Sequence, residues 1–266
     1  MRFSLSVNHY ICGDKMSFPD FAMAVRDAGI GYVGITQEAL AELGLDLISK
    51  CLVDNDLRVS SLNSAGFFTG TSATKNYFSN AELIDIASKL KADVLCVITG
   101  GIGNPPMLLS EAYDKVKKGI SELVNHAADK GVKLGIEPIY PADIISKGNI
   151  NSIASALNLI EPYENTQLIL DVKHSWWDPD FVPLIKNFPE KVALVQLCNI
   201  CIKGGELRGR TNLASGSVDM SRLMKEIIKG KYCGNFEYEL FPSDVGNRNP
   251  RDLISNFPKE FYGLIE

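Results

Sequence analysis

The stretch LILDVKHSWWD, residues 168–178, passes from three aliphatic side chains to an acid, an ammonium, an imidazole and two indoles with almost nothing between them. Leu168, Ile169 and Leu170 read as a core strand, and Asp171, Lys173, His174, Trp176 and Trp177 follow where that strand emerges. One acid at a strand end is commonly a helix cap or an ion-pair partner. An acid, an imidazole and two indoles gathered at one strand end describe the wall of a site.

Outward from this stretch, apolar or β-branched runs recur at 2–8, 32–36, 58–63, 94–99, 133–138, 193–198 and 236–241, which with 168–173 make eight strands. The segments between them carry apolar residues at helical spacing, as in FPDFAMAVRDAGI, AELIDIASKLKA and SELVNHAADKG, several closed by a glycine of the kind that ends a helix. Strand and helix alternating eight times without a Pro/Ser-rich linker predict an α/β (β/α)8 TIM barrel, one domain over residues 1–266. An open doubly wound sheet is the alternative. It lacks a GxGxxG turn after the first strand, and GGIGNPP (100–106) leads into a proline pair and reads as a loop.

Composition narrows the function. The net charge is −5 with the basic residues dispersed, so no concentrated positive field exists for nucleic acid. The N-terminal MRFSLSVNHYICGDK turns polar within a few residues and no run approaches a membrane span, so a soluble cytoplasmic protein is expected. The six cysteines lie mostly in apolar segments and are read as reduced. Cys198 and Cys201 form a CxxC with neither a second pair nor the histidines a zinc site needs, and read as strand-end packing.

A barrel directs attention to the C-terminal ends of its strands. Those ends carry Asn8 with His9, Thr36 with Gln37, Asn63 with Ser64, Thr99, Glu137, Asp171 with His174, Gln196 with Asn199, and Glu237 or Glu239. The last four strands thus each offer an oxygen-bearing side chain. Several carboxylates at one barrel mouth are costly to desolvate unless a cation compensates, and this oxygen-rich set suits Mn²⁺, Mg²⁺ or Co²⁺. Glu237 shares strand parity with Glu239 and faces the interior one layer deeper. Arg208 and Arg210, in GGELRGRTN, are placed to clamp an anion, Arg210 being the better candidate. Trp176 or Trp177 offers an apolar floor for a sugar face.

LGIEP around Glu137, LDVKHSWWDPD around Asp171 and YCGNFEYELF around Glu239 resemble the metal-binding strand ends of the xylose isomerase-like TIM barrels, the sugar phosphate isomerases and epimerases. SVNHYI, RVSSLNSAGFFTG (58–70) and LASGSVD (213–219) extend the resemblance over nearly the whole chain. It implies one divalent ion held by Glu137, Asp171, Gln196 and Glu239, Mn²⁺ foremost, with His174 facing the substrate and His9, Asn63, Trp177 and Arg210 as further substrate contacts. It also selects Glu239 over Glu237, because the family places its glutamate five residues after the glycine matching Gly234. The chain departs from the family at VQLCN, where many members carry His and then Asp; hydroxypyruvate isomerases use Gln at what looks like the position of Gln196. The second strand end, ITQEAL, also differs from relatives that carry an aromatic residue and an arginine there.

The resemblance implies a metal-dependent isomerase or epimerase of a small sugar or keto-sugar, phosphorylated or not. Glu137 and Glu239 would exchange protons with the carbon beside a carbonyl through a metal-stabilised enediolate. A lyase or hydratase on a 3-keto sugar or glycoside would share that intermediate, and a non-catalytic sugar-binding barrel is the third reading. The partner expected in all three is a small-molecule sugar, and homo-oligomerisation is compatible with each. With three histidines, the chain cannot assemble the trinuclear zinc site of endonuclease IV.

Overall fold

The computed structural model describes residues 3–70 and 75–266, so Arg2 of the first expected strand lies outside the described residues. Among the described residues ten strands form: β1 (Ser4–Asn8), β2 (Tyr32–Thr36), β3 (Arg58–Gly66), β4 (Val94–Ile98), β5 (Leu134–Ile136), β6 (Thr166–Asp171), β7 (Val192–Leu197), β8 (Asn199–Lys203), β9 (Glu206–Thr211) and β10 (Asn235–Tyr238). Eight of them close a parallel barrel in the order β1-β10-β7-β6-β5-β4-β3-β2, and β8 and β9 form a separate antiparallel pair. The eight-strand barrel is the fold expected from the alternation of strand and helix.

The sequence signals for the outer helices act locally. Ser79 and Glu82 form a reciprocal capping box at the start of Asn80–Leu90. Gly29 and Gly131, at φ 71° and 67°, follow the helices Phe18–Asp27 and Leu109–Asp129. The apolar stripes of these helices bury against the outward faces of the strands in one continuous core.

The barrel interior is layered because side chains alternate faces every second residue. Val94, Cys96, Ile169 and Leu194 make an apolar plug, and two residues further along their strands lie Asp171 and Gln196. Between plug and mouth sits Glu237, fully buried and hydrogen-bonded by Asn8 Nδ2 (2.9 Å), Ser60 Oγ (2.6 Å), Ser61 Oγ (2.7 Å) and Gln196 Nε2 (3.0 Å). This interior carboxylate therefore rests on neutral donors.

Gly34 makes room for it. A Cβ at position 34 would lie 2.6 Å from Glu237 Oε2 and 2.8 Å from both Asn8 Nδ2 and Ser61 Oγ. Gly34→Ala is therefore expected to cost about 1–3 kcal/mol by overpacking. Denaturant unfolding checks this, and a midpoint equal to wild type would mean that the layer is loosely packed.

Candidate active site

A cavity of about 330 Å³ opens where the strands end, lined among others by Tyr10, Asn63, Glu137, Lys147, His174, Arg210, Glu239 and Phe241. Glu137 follows β5 directly, its N–H bonded to Val97 O (3.1 Å), and Glu239 follows β10, its N–H bonded to Leu197 O (3.0 Å). Asp171 ends β6 and caps the short helix Val172–Ser175 by accepting from Lys173 N (2.8 Å). That helical turn ends the strand at Asp171, two residues short of the 173 expected from the sequence, and carries His174 back over the mouth.

Ligand atoms of Glu137, Asp171 and His174 lie within 4.8 Å of one another, all three residues buried. Gln196 joins the group through Nε2, which donates to Glu239 Oε1 (2.9 Å) as well as to Glu237. Both amide hydrogens being committed, Gln196 Oε1 is left as a buried acceptor with no partner. Glu137, Asp171, Gln196 and Glu239 are thus drawn into one cluster. Asp171 and Gln196 stay below the cavity lining.

Arg210 completes the cluster. Its Nη2 donates to Asp171 Oδ2 (2.5 Å) and Glu239 Oε2 (2.9 Å), and its guanidinium lies 4.7 Å from the Phe241 ring centre. The residue reaches this place on the β8–β9 hairpin, which turns at Gly204 and Gly205 with φ 63° and 79°. The hairpin's base is fastened by Asp244, which accepts from Arg210 N (2.9 Å) and packs where a side chain at Gly209 would stand. This strand pair is not among the eight strands expected from the sequence. Its Gly-Gly pair between strand-like flanks was the signal for a hairpin.

Burial, and then the charge of Asp171, push the Glu137 carboxyl up to about 7. Burial raises Glu239 well above the usual carboxylate range, against the opposing pull of Arg210. A divalent cation among these oxygens would favour their ionised forms.

His174 has a determined tautomer. Tyr140 N–H donates to Nδ1 (3.0 Å), and burial followed by the charges of Lys173, Arg210 and Lys147 holds the imidazole neutral. Nε2 therefore carries the proton, 3.8 Å from both Glu137 Oε1 and Asp171 Oδ2. A protonated nitrogen donates and does not ligate, so His174 is built as a hydrogen-bond donor at the edge of the carboxylate cluster.

Other residues singled out in the sequence fall in different places. Asn63 lines the cavity and donates to Ser61 Oγ (2.8 Å). His9 is absent from the lining: its ring packs 5.2 Å from Phe18 and 5.1 Å from Phe21, and Nδ1 lies 3.2 Å from Thr36 Oγ1. Trp177 is also absent from the lining and donates Nε1–H to His174 O (2.9 Å), bracing the histidine's backbone. Cys198 and Cys201 are both free thiols. Tyr10 and Phe241, which stack at 4.6 Å as one cavity wall, and Lys147 carry no signal of a site role in the sequence. Among the described residues no helix is long and apolar enough to cross a membrane.

Comparison with known proteins agrees with this architecture. A protein of Sinorhizobium meliloti 1021, SMc04130, superposes with a TM-score of 0.87 at 22% identity, covering 99% of this chain and 98% of the other. IolI, solved with a bound zinc atom, gives 0.80 at 15% identity over 99% and 98%. D-allulose 3-epimerase from Methylomonas sp., solved with D-allulose, gives 0.75 at 17% identity over 98% and 97%. At these identities the likeness is one of fold. No curated protein matches the chain in sequence. The family model of the xylose isomerase-like TIM barrel matches residues 22–256, nearly the whole barrel, and the chain belongs to that family.

Proposed function

We propose that the protein is a divalent-metal-dependent isomerase or epimerase of a small keto-sugar. The observation that carries this reading is the partnerless buried oxygen of Gln196 beside the buried carboxylates Asp171 and Glu239, under a cavity sized for a small ligand. Arg210 already meets Asp171 and Glu239, but the Gln196 oxygen has no donor, and a buried acceptor left so is unfavourable; a coordinated cation would compensate it. Three carboxylates and a carboxamide oxygen fit a hard ion, Mn²⁺ foremost, and Glu137, Asp171, Gln196 and Glu239 would hold it. When bound, such an ion supplies Lewis acidity that polarises a substrate carbonyl. Zinc in IolI and D-allulose in the Methylomonas epimerase are consistent companions of this fold.

The chain's own groups then divide the work. Glu137 and Glu239 stand on strands flanking the pair that carries Asp171 and Gln196, so they approach a ligand from different sides. Proton removal by one carboxylate and return by the other inverts a carbon, and return to the neighbouring carbon isomerises the sugar. His174 Nε2–H offers a neutral donor to a substrate oxygen. The Tyr10–Phe241 wall limits access by water and presents an aromatic face to the sugar.

The test is a keto-sugar panel incubated with Mn²⁺ in deuterated water. Deuterium at the carbon beside the carbonyl is expected in recovered sugar. Sugar binding without exchange across the panel would instead favour a binding barrel, and an unsaturated or deglycosylated product would favour a lyase.

Two substitutions at Gln196 test the ligand set. Gln196→His is expected to keep or tighten Mn²⁺ binding, because imidazole serves hard and borderline ions alike. Gln196→Leu removes the oxygen and both donated hydrogen bonds, and a roughly 10- to 100-fold weaker Mn²⁺ affinity is expected by titration calorimetry. Equal affinity in the two variants would place position 196 outside the coordination sphere.

A further inference from the structure

The mouth of the cavity carries three cationic side chains, and two have anionic partners. Arg210 is bound to Asp171 and Glu239, and Lys173 Nζ lies 2.5 Å from Asp143 Oδ2. Lys147 is the exception. It lines the same cavity, half-buried, with Nζ 5.7 Å from the centre of the Phe241 ring. Among the described residues no oxygen takes its charge in a hydrogen bond or ion pair.

The lysine's backbone is set for this position. The turn Pro141–Asp143 is followed by Lys147 N–H donating to Asp143 O (2.8 Å), and Gly148 and Asn149 beyond it are buried. The side chain therefore leaves a fixed loop and lies against the aromatic wall that Tyr10 and Phe241 make. Burial, and next the neighbouring charges of Lys173 and Arg210, lower its affinity for a proton, with Glu137 and Asp143 acting in the opposite direction. A partly desolvated ammonium beside other cations, with no counter-ion of its own, gains most when a ligand supplies the anion.

We propose that Lys147 is the anion-recognising residue of this site, and that the substrate is a small keto-sugar or keto-acid carrying a carboxylate or phosphate that pairs with it. The proposal rests on the isomerase reading for the sugar part of the ligand and on Lys147 for its charge. The carbonyl end would face the carboxylate cluster that would hold the ion, and Lys147 takes the anionic group on the side of the cavity walled by Phe241. A neutral sugar would leave the ammonium without a partner.

Calorimetric titration of the Mn²⁺-loaded protein with two matched pairs tests this: D-ribulose against D-ribulose 5-phosphate, and dihydroxyacetone against hydroxypyruvate. In at least one pair the anionic member is expected to bind roughly 10- to 100-fold tighter, the range of one charge-assisted hydrogen bond. The phosphate pair and the carboxylate pair tell the two sources of charge apart. Lys147→Met should reduce the preference to less than about threefold, and Lys147→Arg should retain it, since the guanidinium keeps the charge. Equal binding within both pairs, no binding by any member, or a preference that survives in Lys147→Met would each overturn the proposal; the last would mean that the ion itself holds the anion. Deuterium exchange in the same samples separates the two ideas. Exchange with no anion preference leaves the isomerase reading and removes Lys147 from it, whereas anion preference lost in Lys147→Met without exchange in any sugar keeps the anion site and removes the isomerase reading.

Discussion

Glu137→Gln and Glu239→Gln should each lower deuterium incorporation into the substrate by roughly 10²–10⁴-fold, the usual contribution of a positioned general acid or base. Both side chains are buried and line the cavity, and the amide keeps their shape while removing a proton acceptor. The two substitutions are distinguishable by their neighbours. Glu239→Gln takes a charge from Arg210 and an acceptor from Gln196 Nε2, so it disturbs the cluster. Among the described residues Glu137 accepts only a weak bond from Cys96 Sγ (3.5 Å), so Glu137→Gln is the cleaner test. Each variant is measured at saturating Mn²⁺, with the metal content of the recovered protein determined alongside. A Glu137→Gln protein that binds metal and exchanges deuterium at the wild-type rate would remove Glu137 from the chemistry.

The second large effect concerns stability. Arg210→Met should destabilise the protein in the presence of a chelator by about 3–5 kcal/mol, because it leaves Asp171 and Glu239 buried without their counter-charge. At this chain length, roughly 2–4 °C in Tm per kcal/mol is expected, so a loss above about 6 °C should be seen by scanning calorimetry. The sign with pH follows from the same argument. Carboxylates left unpaired in the folded state hold their protons more tightly than in the unfolded chain, so the deficit is smallest in acid and grows as the pH rises past the unfolded carboxylate range. Added Mn²⁺ should raise the Tm of Arg210→Met more than that of the wild type, since Arg210 and the ion draw on the same oxygens of Asp171 and Glu239. A variant with the wild-type Tm in chelator at pH 8 would show that the bridge adds nothing to stability.

The amino-acid sequence alone determined the barrel and the layer in which its acids stand. Alternation is a local property: once Ile169 and Leu194 face inward, Asp171 and Gln196 must do so two residues later, and Glu237 and Glu239 occupy successive layers of one face for the same reason. The inward placement of Asp171, Gln196 and the pair Glu237 and Glu239 was legible for that reason, and the family resemblance chose Glu239 over Glu237. Loop side chains have no such period, and only the tertiary structure decided where they point. His9 follows β1 as a site residue might, yet Phe18 and Phe21 enclose its ring. His174 owes its tautomer to the Tyr140 amide, 34 positions away in the chain. Arg210 reaches Asp171 because a glycine turn folds the hairpin over the mouth, and Lys147 is left uncompensated because Asp143 is taken by Lys173. Strand periodicity fixes direction from within a few residues, whereas the partner of a charged loop residue is set by which distant groups have already been neutralised.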